Sequence, residues 1–241
     1  MTEQQPPDLP RYVQLLWGIS TPGRRGPKPG LTIQQIGDAA VVIADAEGLA
    51  GVSMKAVAGS LGLTTMSLYR YLDSKDELFA VMVDCAYGAP RFDLFTAGDW
   101  RQRLETWARV VAKSLLGHPW ILDVRLTPSM TPNAIGWMEA GARSFSQTPL
   151  PEQQKMSALL LVDGFVRNHL RTVVQFGLLE PAEQPIGYDK FLAAVMDPAR
   201  FPALTAAQVV FADDDEDFYS TEFEFGLKVV LGGIEQLINK H

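Results

Sequence analysis

The chain holds one cysteine, Cys85, and three histidines in 241 residues. A lone thiol closes no intramolecular disulfide, which fits a reducing compartment and leaves a cysteine-based zinc site without ligands. No apolar run reaches the roughly 18 residues that a spanning helix needs. Met1–Pro10 is polar and proline-bearing, unlike a signal peptide. The cytoplasm is therefore the expected compartment, with no membrane partner. A nucleotide-binding glycine loop and an HExxH pattern are both missing, so no enzyme, no cofactor and no metal centre is expected. A carboxylate-based site in the helical body is the enzymatic alternative.

What is present is an ordinary globular composition, 47% hydrophobic and 20% charged. The net charge of −7 argues against nucleic acid until its distribution is read. Residues 1–75 carry seven basic groups (Arg11, Arg24, Arg25, Lys28, Lys55, Arg70, Lys75) against six acidic ones, which leaves −8 to the rest. Such asymmetry fits a DNA-contacting head on an acidic body.

Thr21–Gly30 reads TPGRRGPKPG, too rich in proline and glycine for a regular element, and its charge makes residues 1–30 a flexible basic arm. Arg24, Arg25 and Lys28 are its candidate phosphate or minor-groove contacts. Ile33, Ile36, Ala40, Val41 and Ala44 then recur at helical spacing, with Thr32 placed to cap and Gly48 to stop. Ser53 offers a cap to Met54–Ser60, Gly62 breaks the chain, Thr64 opens a stretch through Tyr71, and Ser74 begins a fourth helix to about Gly88. Further helices are expected near Trp100–Leu116, Thr131–Gln147, Glu152–Phe176 and Asp217–Lys240, with a short one near Tyr188–Val195 before the acidic run Asp213–Asp217. None of these stretches alternates with period two, so the fold class is all-α: an N-terminal three-helix head (residues 31–75) and a C-terminal helical body (76–241).

Ser53–Leu63 followed by Thr64–Tyr71 has the anatomy of a helix-turn-helix. Val57, Ala58, Leu61, Leu63 and Leu68 are apolar where the two helices must pack. Thr65, Met66, Ser67, Tyr69, Arg70 and Tyr71 are left to face outward. Arginine is shaped to bond guanine bidentately, hydroxyls meet base edges or phosphates, and tyrosine is a good phosphate donor. Double-stranded DNA is the partner this face fits, against the plainer reading of two packed core helices.

From Thr32 to about Gly88 the chain closely resembles the TetR family of transcriptional regulators. The glycine turn, the leucine-tyrosine pair, the following aromatic and the lysine of that family stand here as Gly62, Leu68-Tyr69, Tyr71 and Lys75, within LGLTTMSLYRYLDSKDEL. The resemblance implies DNA contacts at Ser53, Lys55, Thr65, Met66, Ser67, Tyr69, Arg70, Tyr71 and Lys75. Met66 and Arg70 occupy variable family positions, so no relative supplies the operator sequence. FEFGLKVVLGGIEQL (Phe223–Leu237) resembles the last helix of the tetracycline-repressor subgroup, and DWRQRLETWA and GHPW resemble the same C-terminal domain more loosely.

By that resemblance the final helix and an earlier long one form a four-helix bundle in a homodimer. The apolar Leu159–Val162, Phe165 and Val166 agree, and Gly226 and Gly233 share a face that lets helices approach. The resemblance also places Trp107, Trp120, Met130, Trp137, Phe145, Phe165, Arg167, Asn168 and His169 around an effector cavity for a partly hydrophobic or aromatic small molecule, against the plainer reading that most of them pack the core. His118 beside Pro119 reads as a helix-end hydrogen-bonding residue rather than a metal ligand. The implied function is a ligand-responsive repressor that grips a palindromic operator as a dimer and is released by its effector. An effector-independent architectural DNA protein is the further alternative, disfavoured by a pI near 5.0.

Overall fold

The computed structural model describes residues 9–19, 31–124, 131–175, 196–203 and 218–241. Arg24, Arg25, Lys28, Met130, the helix expected near Tyr188–Val195 and the run Asp213–Asp217 lie outside these residues. Every regular element described is helical, with no strand among the described residues. Packing divides the chain into two units, residues 1–160 with His241 and residues 161–240.

In the first unit, α1 (Arg11–Leu16) falls inside the stretch expected to be a flexible arm. It is ordered because Val13 is 2% exposed and the helix packs on α2 and α5. Helix α2 (Ile33–Gly51) opens on a capping box in which Thr32 Oγ1 accepts from Gln35 N (3.1 Å) and Gln35 Oε1 accepts from Thr32 N (2.8 Å). Ile36, Ala40 and Ala44, one turn apart, form its buried stripe. Gly48 kinks the helix at φ 68°, where the sequence placed its stop. Next come α3 (Met54–Ser60), α4 (Thr65–Leu68) and α5 (Lys75–Tyr87), the last capped by Ser74, whose Oγ accepts from Glu77 N at 3.2 Å. Helix α5 lies along α2, and Gly37 permits it: a β-carbon there would strike Cys85 Sγ.

A 3-10 turn at Phe92–Phe95 leads to α6 (Trp100–Gly117), opened by an Asp99–Gln102 capping box. A second 3-10 turn at Pro119–Asp123 precedes α7 (Pro132–Arg143). Helix α8 (Glu152–Gln175) begins in this unit, and Gly141 of α7 sits against Leu159 and Trp107.

The second unit contains the rest of α8 and α9 (Phe218–Ile238). Among the described residues, Val162, Val166, Leu170 and Val173 of α8 and Leu227, Leu231 and Ile234 of α9 are its buried apolar residues. The rings of Phe165, His169 and Phe223 cluster with centroids 5.4–5.9 Å apart. The close approach at Gly226 is made within the chain, to the Phe165 ring, whereas Gly233 faces open space. Gly226 is therefore not free for a partner helix, because Phe165 already fills the space beside it.

Candidate nucleic-acid interface

The head is built by local caps. Ser53 Oγ accepts from Ala56 N (3.1 Å) and starts α3. Helix α3 ends in a Schellman motif, with Leu63 N donating to Ala58 O (2.8 Å) and Gly62 N to Gly59 O (3.1 Å). Gly62 adopts φ 68°, a conformation that a β-carbon opposes, and so the chain reverses into α4. Val57, Ala58, Leu68 and Leu72 are at most 1% exposed and lock the two helices together. Leu61 is only half-buried and Leu63 is 36% exposed, against the expectation that both pack between the helices. The Schellman geometry explains this, since the residue after the left-handed glycine turns back over the helix end rather than into the core.

Helix α4 is shorter than the stretch Thr64–Tyr71 read from the sequence, and Arg70 and Tyr71 continue it only as turns. The outward set is nonetheless displayed. Met66 is 74% and Tyr69 45% exposed, and Arg70 and Lys55 are exposed too. Neither cation forms an ion pair among the described residues. Between Glu47 and Asp73 the chain has no acidic residue, so nothing on these two helices opposes a phosphate. That carboxylate-free window was legible in the sequence, and it marks the face more simply than the residue types do. Thr65, Ser67, Tyr71 and Ser53 are half-buried. Ser53 Oγ serves as a cap, and Ser67 Oγ lies 2.9 Å from Thr64 Oγ1. Lys75 stands at the start of α5 with its Nζ 5.0 Å from the Phe79 ring centre.

Carboxylates of α2 and α5 bond the elements that follow them. Asp45 of α2 accepts with one oxygen from Trp120 Nε1 (2.7 Å) and lies 2.8 Å from His118 Nδ1, the role expected of His118. Asp84 of α5 is 1% exposed and caps α7: its Oδ1 accepts from Asn133 N (2.9 Å) and Ala134 N (3.4 Å), while Asn133 Nδ2 donates to Asp84 O (2.9 Å). Burial raises the Asp84 pKa, opposed by hydrogen bonds from Thr131 and those two backbone amides. Cys85 alongside is pushed up to about 12, first by burial and then by the charges of Asp38 and Asp84.

The residues assigned to an effector cavity divide into three groups. Trp107, Trp120 and Trp137 are at most 8% exposed and their N–H groups are consumed inside the protein, by Trp137 O (2.9 Å), Asp45 Oδ1 (2.7 Å) and Gly88 O (3.0 Å). They are core indoles with satisfied donors. Phe145 is fully buried against Trp100. Phe165 and His169 belong to the aromatic cluster of the second unit, Arg167 pairs with Asp163 (2.7 Å), and Asn168 is exposed.

Two families match this chain: bacterial regulatory proteins of the tetR family over residues 36–82, and the tetracyclin repressor-like C-terminal domain over residues 94–238. The HTH-type transcriptional repressor DrrR1 of Streptomyces coeruleorubidus is 35% identical, covering 96% of this chain and 87% of its own. The HTH-type transcriptional repressor Rv1353c of Mycobacterium tuberculosis is 26% identical, covering 92% and 87%. Among solved structures, Streptomyces coelicolor ActR in complex with actinorhodin superposes with TM-score 0.69 at 23% identity, over 86% of this chain and 97% of that one. SCO7222, a TetR from the same organism, gives 0.64 at 22%, over 86% and 99%. With both of its family regions matched and a repressor relative aligned along nearly its whole length, the chain belongs to the TetR family of bacterial transcriptional regulators.

Proposed function

We propose that this protein is a ligand-responsive repressor whose homodimer binds a palindromic operator through α3 and α4 and is released when a small-molecule effector binds. The observation that carries the reading is the α3–α4 face, where Lys55 and Arg70 stand exposed without a carboxylate between Glu47 and Asp73, beside exposed Met66 and Tyr69. Residues 31–75 act as the head and 76–241 as the effector and dimerisation body. Ser53, Lys55, Thr65, Ser67, Tyr71 and Lys75 complete the contact surface, with hydroxyls and ammonium groups on phosphates and Arg70 on a base edge.

Two recognition helices about 34–36 Å apart match successive major grooves on one face of DNA. An effector that binds a form with another spacing lowers operator affinity by its differential affinity for the two forms, about 1.4 kcal/mol for each factor of ten. DrrR1 is named a repressor and ActR was solved with actinorhodin, which supports small-molecule control of this chain. Exposed apolar residues of the second unit, Leu161, Phe225, Val229 and Leu237, suit a partner subunit.

Selection of DNA from a random pool by the purified protein, followed by gel shift on the enriched sequence, tests the proposal. A palindrome bound by two chains is the expected outcome. Enrichment of no sequence would overturn it.

A further inference from the structure

A cleft of about 410 Å³ opens between the Phe92–Phe95 turn, α6 and the end of α7, and among the residues lining it is a buried cation with no counter-ion among the described residues. Arg103 is 8% exposed. Its Nε donates to Asp99 O (3.2 Å) and its Nη2 to Gln147 Oε1 (3.4 Å), both neutral acceptors, and among the described residues it forms no ion pair. A guanidinium has five N–H donors, so most of its capacity is unused. Burying such a charge without a counter-ion is costly.

The other charges at the cleft are already matched. Arg143 pairs with Glu139 (2.7 Å) and lies 4.7 Å over the Phe92 ring. Asp93 pairs with Arg91 (2.7 Å), whose hydrogen bond holds its carboxyl below the usual range. Phe92, Phe95 and Ala140 supply apolar wall, leaving Arg103 as the unneutralised charge.

We propose that this cleft binds an aromatic carboxylate, with the carboxylate forked onto Arg103 and the ring against Phe92. The guanidinium fork matches a carboxylate bidentately, and a flat ring fills apolar wall that a bare inorganic anion leaves empty. None of the residues assigned above to the effector cavity lines the cleft. The site therefore stands whether or not the operator reading does.

Titration calorimetry of the full chain with naphthoate, and with naphthamide as its uncharged isostere, tests the assignment. The acid should bind saturably and about tenfold or more tighter than the amide, the scale of one charge-assisted pair. Arg103→Met should abolish that preference while leaving the amide unaffected. Absent binding of naphthoate, equal binding of acid and amide by the unaltered protein, or a preference that survives Arg103→Met each overturns the proposal. The acid-amide comparison needs no variant. Should Arg103→Met fail to fold, Arg103→Lys keeps the charge, loses the fork and should lose most of the preference. Because binding of the acid is read without DNA, failure of the site and failure of DNA recognition are separate outcomes.

Discussion

Arg70 and Lys55 sit on one exposed face but do different work under the proposed function. Arg70→Ala should cost about 1–3 kcal/mol of operator affinity and relax preference at one base pair per half-site. Gel shifts on a panel of single-base operator variants read this directly, and a uniform loss across the panel would make Arg70 a phosphate contact instead. Cys85 supports a second expectation. Its thiol holds the proton more tightly in the folded chain, so its contribution to stability is whole below its ordinary value of 9.0 and drains as pH rises toward about 12. Urea unfolding of the native protein and Cys85→Ser should therefore converge between about pH 8 and about pH 11; parallel curves would refute the shift. The residue types of the proposed DNA face were readable because they lie on consecutive turns of one short segment. Arg103 was not, because Arg101, Arg103 and Arg109 share one helix and only Arg103 is buried among them, by elements that are remote in sequence.

At the level of elements, the N-terminal caps were legible and the fastenings between helices were not. Thr32, Ser53 and Ser74 each bond an amide three residues on, so the signal is local and its meaning does not depend on the rest of the fold. Asp84 caps α7 from 49 residues away, and no spacing rule announces it. Asp84→Ala should cost about 1–3 kcal/mol by stranding the α7 amides, whereas Asp84→Asn keeps an acceptor and should cost less. Urea midpoints of the three proteins decide it, and equal losses would deny the cap its role. Gly226→Leu collides with Phe165 inside the chain, so it should destabilise by about 1–3 kcal/mol, with partial rescue by Phe165→Ala. A small residue signals a close approach, but which helix approaches is a tertiary fact. The tryptophans taught likewise, since Trp107 finds its acceptor 30 residues away at Trp137 O.

For the whole molecule, the boundary drawn at residue 75 is not a boundary in packing. Residues 1–160 form one unit, because α5 lies on α2 while its own end is bonded to α7. A functional division read from charge and motif carries no information about where contacts thin out, and the sequence pattern missed the division after Leu160. If α9 meets a partner subunit, Phe225→Asp with Val229→Asp should cost on the order of 2–4 kcal/mol per buried anchor and shift the protein from dimer to monomer in sedimentation. Operator binding should fall with it; a dimer that persists would move the interface elsewhere.

The single thiol has a practical consequence. Cys85 is half-buried against α2 and burial raises its pKa, so slow labelling of the native chain by maleimide or methanethiosulfonate reagents is the expected outcome. A cysteine introduced at an exposed position such as Lys55→Cys would take up a spin label alone, without first deleting the natural residue. In an assembled pair of chains, two such labels would report the separation of the heads as a distance distribution, with and without a candidate small molecule.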